Sequence, residues 1–539
     1  MRSLSVLSMF SSSCLPVIVW TINANPKPFK EMQPDGTYVE LRLSGNEDNH
    51  QLIDNEGYTV IKSITTDWIM YAIEKDQSRS SSNNGDLEAS TLIAGRDNPA
   101  SFGLKKGIKK IITTSKEKNS FGVRRNLKRK RLPRKKKNIP SNPGGFNNLV
   151  IMLKFSNHIN RKLPTNDQIN TLFNSLKKDP AIIPTGSVRN YFLKNSYRSV
   201  DLVSSIYPIW IILPKPEEYY SNNGKFSEAL HYALDEIEKN NDFSLSDLDL
   251  NRDGEVDMIT LLHSGYGAEW GATDCYGQHY ENRIWSHKSS IAWQSKSGKI
   301  TVNDYNTSPA LWGTCGSDIG RIGVITHEIG HSFGLPDLYD TTSAGNGIGS
   351  YDVMSNCWGF DGSQLYPPML SAWSKIKMGW LTPKVIRKSG YYNVPSTFVY
   401  KIQQGFPSGE YLLIENRQPL DYDDKIPQGG LAIWHIDENI SSMESGYPGQ
   451  KTNLIWPYNG KHYRVALLQA DGLYDLEKGI NYGNGGDLWH GKKTYIGPSL
   501  MYGPYPNTDS YKNGIIKKTG ITISEISSSK NIMRFKIVI

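Results

Sequence analysis

The sequence predicts an α+β fold in which a β-rich segment precedes a mixed central domain and a β-sandwich-like region follows it. Two observations indicate this order. Short apolar runs between turn residues occur in residues 25–104 and again in 386–539, whereas helix-like and strand-like segments alternate in 146–385. At 539 residues, the chain is also too long for one hydrophobic core. We therefore expect three folded parts.

Residues 1–24 are typical of a secretory signal peptide. They contain one positive charge, Arg2, then a moderately apolar stretch at 15–20, and small or polar residues around Ala24. A weakly apolar tail without a targeting role is the alternative. No later stretch approaches the roughly 18 apolar residues of a membrane-spanning helix, so none is expected. The simplest interpretation is a secreted, soluble protein.

The net charge of +8 is concentrated in one segment. Residues 105–137 contain 16 Lys or Arg and one acid, Glu117, so this run carries +15 and the rest of the chain carries 8 − 15 = −7. Like charges at this density repel one another, so residues 105–145 are predicted to be an exposed, flexible linker. A processing site for an activating protease, at 128–131 or 134–137, is the favoured interpretation. The alternatives are a nucleic-acid patch and a solvated insert without a role.

Nucleic acid is not an expected partner, because the basic residues lie in one insert without interleaved aromatic residues. The cysteines leave their pairing open. Cys14 would leave with the signal peptide, and Cys275, Cys315 and Cys357 then allow at most one internal disulfide. A bond between Cys315 and Cys357 would staple the helix that lies between them. No CxxC pair occurs, so a thiolate zinc site is not expected.

The segment from Thr326 to Asp340 reads THEIGHSFGLPDLYD, in a helix predicted to start near Ile319 and to stop at Gly334. His327 and His331 are four residues apart, so their imidazoles lie on one helix face and can bind one zinc ion. Glu328 lies beside them without being a ligand. It is the predicted general base and acid, which takes a proton from zinc-activated water and passes it to the leaving amine.

A third protein ligand is needed if one zinc position is to stay open for water. Asp337 is the best candidate, because Gly334 can adopt a left-handed conformation that turns the chain back towards the metal. Asp340 is the second choice. This arrangement is the longer HExxHxxGxxH pattern with Asp in the last place. Met354, a short way downstream, resembles the Met-turn that lies under the zinc site of metzincins.

Beyond these motifs the sequence resembles the immune inhibitor A-like peptidases, secreted zinc endopeptidases of metzincin type. The resemblance implies a metzincin-like catalytic domain at 146–385, a pro-segment at 25–104 that imposes latency, protein or peptide substrates, and stabilisation by calcium. The segments that carry it, besides the zinc motif, are residues 33–36, 186–191, 195–197, 284–287, 372–375, 379–381, 415–417, 435–437 and 469–472.

A calcium site is also predicted from the residues themselves. Oxygen-bearing side chains alternate from position 249, and Gly254 is sixth, as in the first half of an EF-hand loop. The twelfth position is Thr260, so the closing bidentate glutamate is missing. An Asx-rich surface turn is the alternative. The candidate calcium ligands are Asp249, Asn251, Asp253, Glu255 and Asp257, and a weaker second set is Asp471, Asp475 and Asp487.

A secreted binding protein or adhesin that kept a protease-like fold is the alternative function. Loss of a zinc ligand or of Glu328 would indicate it, and neither is lost. Three further residues have weaker functional interpretations: Glu269 and His287 in the cleft, and Tyr351 as a donor to the oxyanion. For each of them a structural role in the core is favoured.

Overall fold

The structure is a computed structural model that describes residues 20–47, 49–75, 87–108, 146–222, 224–240, 243–341, 345–440, 443, 462–491, 494–498, 506–511 and 517–539. Residues 1–19 of the predicted signal peptide and residues 109–145 of the predicted linker lie outside these ranges. Within the ranges, no helix combines the length and the apolar character needed to cross a membrane.

The N-terminal part is an antiparallel meander with a small core of its own. Strands β2 to β7 pair in sequence order. On β3, Val39, Leu41 and Leu43 point inwards and alternate with more exposed residues, as expected when one face of a sheet packs on a core. The strands are β1 (Trp20–Thr21), β2 (Phe29–Met32), β3 (Tyr38–Gly45), β4 (His50–Asp54), β5 (Thr59–Lys62), β6 (Ile69–Glu74) and β7 (Leu87–Ile93).

The central part alternates strands and helices. Its elements, in chain order, are β8 (Phe146–Lys154), α1 (Asn166–Asn174), α2 (Val188–Asn195), β9 (Leu202–Ile206), β10 (Ile211–Ile212), α3 (Glu217–Ser221), α4 (Phe226–Lys239), β11 (Met258–Tyr266), β12 (His287–Gln294), β13 (Thr301–Leu311), α5 (Ile322–Ser332), α6 (Ala372–Lys377) and β14 (Lys384–Val385). The architecture is therefore mixed α and β, as the sequence predicts.

A seven-stranded sheet forms the centre, in the order β1-β12-β13-β11-β8-β10, with β9 also paired to β8. Strands β8 to β11 and β13 are parallel, whereas β12 runs antiparallel to β13. Every residue of β11 is buried, as is usual for a parallel strand covered on both faces. On β8, Val150 and Met152 face the core that also contains residues of α1, α2 and α5. Ile151, between them, faces the opposite side of the sheet and the core that contains residues of α4.

Strand β1 belongs to the central sheet although it precedes the N-terminal meander. It pairs antiparallel with β12 and forms the edge of that sheet, and Ile22 and Ala24 are buried in the core that also contains residues of helix α5. The predicted end of the signal peptide at Ala24 thus falls within a segment that the structure packs onto the central sheet. The signal peptide itself stays a prediction.

The C-terminal part consists of two groups of strands, in which all neighbouring strands are antiparallel except β14 and β16, which are parallel. One sheet has the order β14-β16-β17-β18-β19 and the other has the order β15-β21-β20. The strands are β15 (Gly390–Pro395), β16 (Val399–Ile402), β17 (Glu410–Arg417), β18 (Gly430–Asp437), β19 (Val465–Leu467), β20 (Thr522–Ser524) and β21 (Ile532–Val538).

The C-terminal sheets share their core with the central domain. One continuous cluster of buried side chains includes Ile325 of α5, Met354, and Leu413 and Trp434 of the five-stranded sheet. The β-sandwich-like domain at 386–539 stays a prediction, and the shared core is a feature that apolar periodicity does not reveal.

A buried arginine links the two parts. The guanidinium of Arg417 on β17 donates two hydrogen bonds of 2.8 Å to the carboxylate of Asp423. It also donates to the carbonyl oxygen of Tyr351, at 3.0 Å, in the segment that leads to Met354. Arg417 is 3% exposed, so these bonds are shielded from water.

Two of the three cysteines in the described residues are joined. Cys275 and Cys315 form a disulfide, and Cys357 is free and buried. The bond therefore ties the segment between β11 and β12 to the segment after β13. It does not staple helix α5 through Cys315 and Cys357, because Cys357 lies in the core behind that helix.

Replacing Arg417 by Met tests the shared core. The change leaves the Asp423 carboxylate buried without its cation, so we expect the free energy of unfolding to fall by about 3–5 kcal/mol. Arg387→Met is the control, because Arg387 is exposed. Denaturant unfolding followed by near-UV circular dichroism should show one transition that only the first change shifts. Two separate transitions, of which Arg417→Met moves just one, would contradict a shared core.

Candidate metal centre

Helix α5 carries the first two predicted ligands in a fully buried environment. His327, Glu328 and His331 are 1%, 0% and 4% exposed. The helix begins at Ile322 rather than near Ile319, because Ile319 forms a β-bridge with Leu311 instead. It ends at Ser332, and Gly334 follows with a φ of 95°, the left-handed conformation that the sequence predicts there.

The hydrogen bonds of the two histidines determine which ring nitrogens can bind a metal. Nδ1 of His327 lies 2.8 Å from the carbonyl oxygen of Val353, and Nδ1 of His331 lies 2.8 Å from that of Leu335. A carbonyl oxygen only accepts, so each Nδ1 carries the proton and each Nε2 presents a lone pair. Burial lowers the pKa of His331, which favours the neutral imidazole that metal binding requires.

Asp337 completes a group of three ligands. The two Nε2 atoms are 3.0 Å apart, and Oδ1 of Asp337 lies 3.3 Å from that of His327 and 3.2 Å from that of His331. This Oδ1 is buried and has no hydrogen-bond donor. Three acceptor atoms therefore face one another, an arrangement that is unfavourable until a cation binds between them.

Within the described residues, His327, His331 and Asp337 are the group of His, Cys, Asp or Glu side chains that converges as a metal site would require. Two neutral imidazoles and one carboxylate suit zinc in particular, and three protein ligands leave the fourth position open. Asp340, the second choice from sequence, is buried elsewhere and accepts a hydrogen bond of 3.0 Å from the Tyr463 hydroxyl. The residues present thus fit a catalytic zinc ion.

The chain after Gly334 brings Asp337 back to the helix. The amide of Leu335 donates to the carbonyl of Gly330, at 3.1 Å, and the amide of Leu338 donates to that of Met354, at 2.9 Å. Met354 lies against the helix at Gly330, where a Cβ would come within 2.4 Å of its sulfur. The position of Met354 under the helix requires glycine at position 330.

Asp352 holds the turn that contains Met354, a role that the sequence analysis missed. This buried carboxylate accepts hydrogen bonds from the amides of Met354 and Ser371, both at 2.8 Å, and from the hydroxyl of Ser374, at 2.6 Å. The sequence contained an indication of this role, because an acidic residue two positions before a turn methionine can accept a hydrogen bond from the methionine amide. The partners in α6, however, are distant in sequence.

Glu328 lies next to His327 in the chain but is not one of the three residues whose ligand atoms converge. Both of its carboxylate oxygens are buried and have no hydrogen-bond partner. Burial, with the nearby charge of Asp337 next in importance, raises the pKa of Glu328 well above its usual range. A bound dication opposes that effect, because it stabilises negative charge nearby.

The weaker candidates have structural roles. The Tyr351 hydroxyl donates to Oδ2 of Asp487, at 3.0 Å, and is fully buried, so it does not face the zinc ligands as an oxyanion donor would. Glu269 accepts a hydrogen bond of 2.7 Å from the Ser286 hydroxyl. His287 lies 3.0 Å from the hydroxyl of Tyr305.

The predicted calcium loop forms a series of tight turns. Oδ1 of Asp249 accepts from the amide of Asp253, at 3.0 Å, and Oδ2 accepts from the amide of Gly254, at 2.8 Å. Asn251 likewise accepts from Asp253, and Asp257 is buried at the end of the loop. Glu255 follows the glycine, and its amide donates to Asp253. Calcium at this loop stays a prediction.

The fold and the site together define a zinc metalloendopeptidase domain. Comparison with known proteins agrees: residues 183–381 match the immune inhibitor A peptidase M6 catalytic domain. This part of the chain is therefore similar to that family's catalytic domain, which confirms the resemblance seen in the sequence motifs.

Two relatives are similar over shorter stretches. Immune inhibitor A of Bacillus thuringiensis subsp. alesti is 34% identical over 117 residues, which are 19% of this chain and 15% of that protein. The pre-pro-metalloprotease PrtV of Vibrio cholerae serotype O1, strain M66-2, is 26% identical over 224 residues, 35% of this chain and 23% of that protein. The chain thus matches less than a quarter of the length of either relative.

Asp337 and Asp340 offer a direct test of the third ligand. We expect Asp337→Asn to weaken zinc binding strongly, because an amide oxygen supplies no charge to the ion. Asp340→Asn should keep one zinc ion per chain, since Asp340 contacts Tyr463 instead. Zinc per chain is measured by atomic absorption after dialysis. Loss of zinc from the Asp340 variant alone would assign the ligand to Asp340.

Proposed function

We propose that the chain hydrolyses peptide bonds within proteins, with His327, His331 and Asp337 holding zinc and Glu328 moving the proton. One observation supports this above the others: three buried acceptor atoms lie 3.0–3.3 Å apart in a site that suits a dication. A zinc ion bound there polarises the scissile carbonyl and makes water more acidic.

Glu328 is the proposed general base and then acid. It accepts a proton from the attacking water and passes that proton to the amine nitrogen of the leaving peptide. Its two carboxylate oxygens have no hydrogen-bond partner in the described part of the chain, so either can accept the proton. The charge of Asp337 helps to raise the pKa of Glu328, which supports a position of this carboxyl close to the ligands.

Replacing Glu328 by Gln should leave one zinc ion per chain and lower casein hydrolysis by about 10²–10⁴-fold, because the amide cannot accept the proton. Glu236→Gln is the control, since Glu236 lies on the exposed side of α4 and pairs with Lys239. Zinc content and casein cleavage are measured on the same preparations. Normal casein cleavage by the Glu328 variant would refute this mechanism. If the parent protein binds zinc but does not cleave casein, a binding protein would be favoured.

The proposal includes secretion and synthesis as a zymogen. The predicted signal peptide, the predicted processing sites in 105–145 and the name of the Vibrio relative, a pre-pro-metalloprotease, support it. The disulfide between Cys275 and Cys315 is also typical of an oxidising compartment. Protein or peptide substrates follow from the peptidase family of residues 183–381.

The contacts of the N-terminal part support latency imposed by the pro-segment. β1 occupies the edge of β12, and an exposed edge strand is where an extended peptide can add. The indole nitrogens of Trp285 and Trp358 donate to the carbonyl oxygens of Ile22 and Asn23, at 2.9 and 3.1 Å. These contacts cover the edge of the central sheet, and they persist in the zymogen if the signal peptide is cleaved before Trp20 rather than after Ala24.

The tip of the hairpin between β3 and β4 adds to this cover. The imidazole of His50 stacks on Trp285, with ring centroids 5.3 Å apart, and meets the edge of Tyr280 at 5.8 Å. Phe29 of β2 packs against Gly271, where a Cβ would approach its ring to 2.5 Å. Cleavage in the linker would release this segment and expose the cleft.

Weakening the docked segment should therefore raise activity before any cleavage. Phe29→Ala removes about 1–2 kcal/mol of docking free energy, so the open fraction should rise about 5–30-fold. Tyr38→Ala is the control, because Tyr38 is 64% exposed. Hydrolysis of a quenched fluorescent peptide is measured before and after cleavage of the linker. Latency through this contact would be contradicted if the parent and the Phe29 variant hydrolysed the peptide at equal rates before cleavage of the linker and also at equal rates after it.

The proposal also includes a bound calcium ion, with candidate ligands in one loop: Asp249, Asn251, Asp253, Glu255 and Asp257. Alternating oxygen ligands around Gly254 support it, although the side chains bond to loop amides without an ion. Asp253→Asn should remove one bound calcium ion per chain if the loop is a site.

A further inference from the structure

Two C-terminal segments are basic in a chain that is otherwise acidic outside the linker. Residues 384–398 and 517–539 contain eight Lys or Arg and one acid, Glu525, so their side chains carry +7. Residues 105–137 carry +15, so the remainder of the chain carries 8 − 15 − 7 = −14. The positive charge of the two segments is therefore a local feature and not a property of the whole folded protein.

The strand register brings part of this charge onto one face of the sheet β15-β21-β20. Tyr391 of β15 lies opposite Lys536 of β21, and Asn393 lies opposite Arg534. The residues that alternate with them on β15 and β21 point the other way and pack in the core. Lys530, just before β21, is exposed beside Asn393 and Arg534. These five residues are named the basic face.

One carboxylate orders part of the basic face and leaves the rest uncompensated. Lys536 pairs with Glu525, at 3.0 Å, and the Tyr391 hydroxyl donates to the same carboxylate, at 2.7 Å. The Arg534 guanidinium lies 5.0 Å from the centroid of the Tyr391 ring. Among the side chains that the structure describes, no acid pairs with Lys530 or with Arg534. Two cations of the face are thus available to a ligand.

An open depression lies between these two cations, with a volume of about 870 Å³. It is lined by Asn393, Ser527, Lys530, Asn531, Ile532 and Arg534. Two side-chain amides therefore stand beside two positive charges. An amide both donates and accepts hydrogen bonds, as a hydroxyl group does, and a cation binds carboxylate or other acidic oxygens. This lining suits a ligand that is rich in hydroxyl groups and also carries negative charge.

We propose that the basic face binds an anionic polysaccharide. The acidic groups of the polymer pair with Lys530 and Arg534, and its hydroxyl groups bond to the side-chain amides of Asn393 and Asn531. A sugar ring packs on the Tyr391 ring, which is 54% exposed. The residues of this site are separate from the zinc ligands, so the proposal does not depend on the proposed reaction.

Other polyanions fit the basic face less well. An anionic membrane is bound by cations together with a broad apolar surface, whereas the large aliphatic side chains exposed here are Ile532 and Val538. Single-stranded nucleic acid stacks its bases on several aromatic rings. Tyr391 is the one aromatic residue on the outward face of the described strands β15, β20 and β21. The polar depression therefore favours a polysaccharide.

The test uses the full chain in the Glu328→Gln background, so that self-cleavage plays no part. The probe is alginate, a linear polysaccharide of uronate sugars, and uncharged dextran is the reference. Arg534→Gln should weaken alginate binding about fivefold, the effect of losing one exposed ion pair. Arg198→Gln is the matched control, because it removes the same charge from an exposed site of the central domain. Equal Tm values show that each variant keeps its fold.

Asn393→Ala separates a sugar site from charge attraction alone. The change removes an exposed side-chain amide and leaves the net charge unaltered. It should weaken alginate binding about 2–10-fold, because hydrogen bonds to the polymer are lost. Binding that falls with Arg534→Gln but not with Asn393→Ala would overturn the proposal. Tighter binding of single-stranded DNA, or of vesicles that contain phosphatidylglycerol, than of alginate would also overturn it.

The linker at 105–137 is a second basic segment that a polyanion can bind, so lysine footprinting locates the site. Lys530 should lose most of its acetylation by a soluble reagent when alginate is bound, because the polymer covers its amine. Lys62, on the N-terminal meander and 61% exposed, should react equally with and without alginate. Acetylation is measured for each lysine by mass spectrometry of peptides. Protection confined to the linker, with Lys530 unprotected, would overturn the proposal.

Discussion

The meeting of three hydrogen-bond acceptors in the core is the constraint on which the rest of the structure depends. Nε2 of His327, Nε2 of His331 and Oδ1 of Asp337 lie within 3.3 Å of one another and are shielded from water. Such a group repels itself unless a dication binds. Holding it together therefore requires a rigid surround: a helix buried on all sides, a left-handed Gly334 and two carbonyls that orient the imidazoles.

The rigid surround comes largely from outside the catalytic segment. Asp352 fixes the Met-turn to helix α6, and Arg417 reaches from the C-terminal sheet to the carbonyl of Tyr351. The loop after β19 holds the same tyrosine through Asp487. Because these bonds are buried, each depends on the packing of the others. The C-terminal part is thus better understood as a support of the zinc centre than as an appended module.

The N-terminal part meets the same centre from the other side. The hairpin of β3 and β4 stacks His50 on Trp285, a contact that is consistent with the proposed latency. The interface of this part is held mainly by main-chain hydrogen bonds and aromatic contacts. An interface of this kind can be released by a single cut in the chain, because no covalent bond between described residues joins it to the catalytic domain.

The sequence by itself predicted the residues of the metal site. Helical spacing placed His327 and His331 on one face, and Gly334 allowed the turn that returns Asp337, because these are local properties of the backbone. The sequence also predicted the mixed fold and the family. Only the tertiary structure brought Asp337, and not Asp340, close to His327 and His331, paired Cys275 with Cys315, and placed Arg417, Asp352 and Asp487 in contact with the segment that contains Met354. Those roles depend on contacts between segments far apart in the chain, which residue patterns do not encode locally.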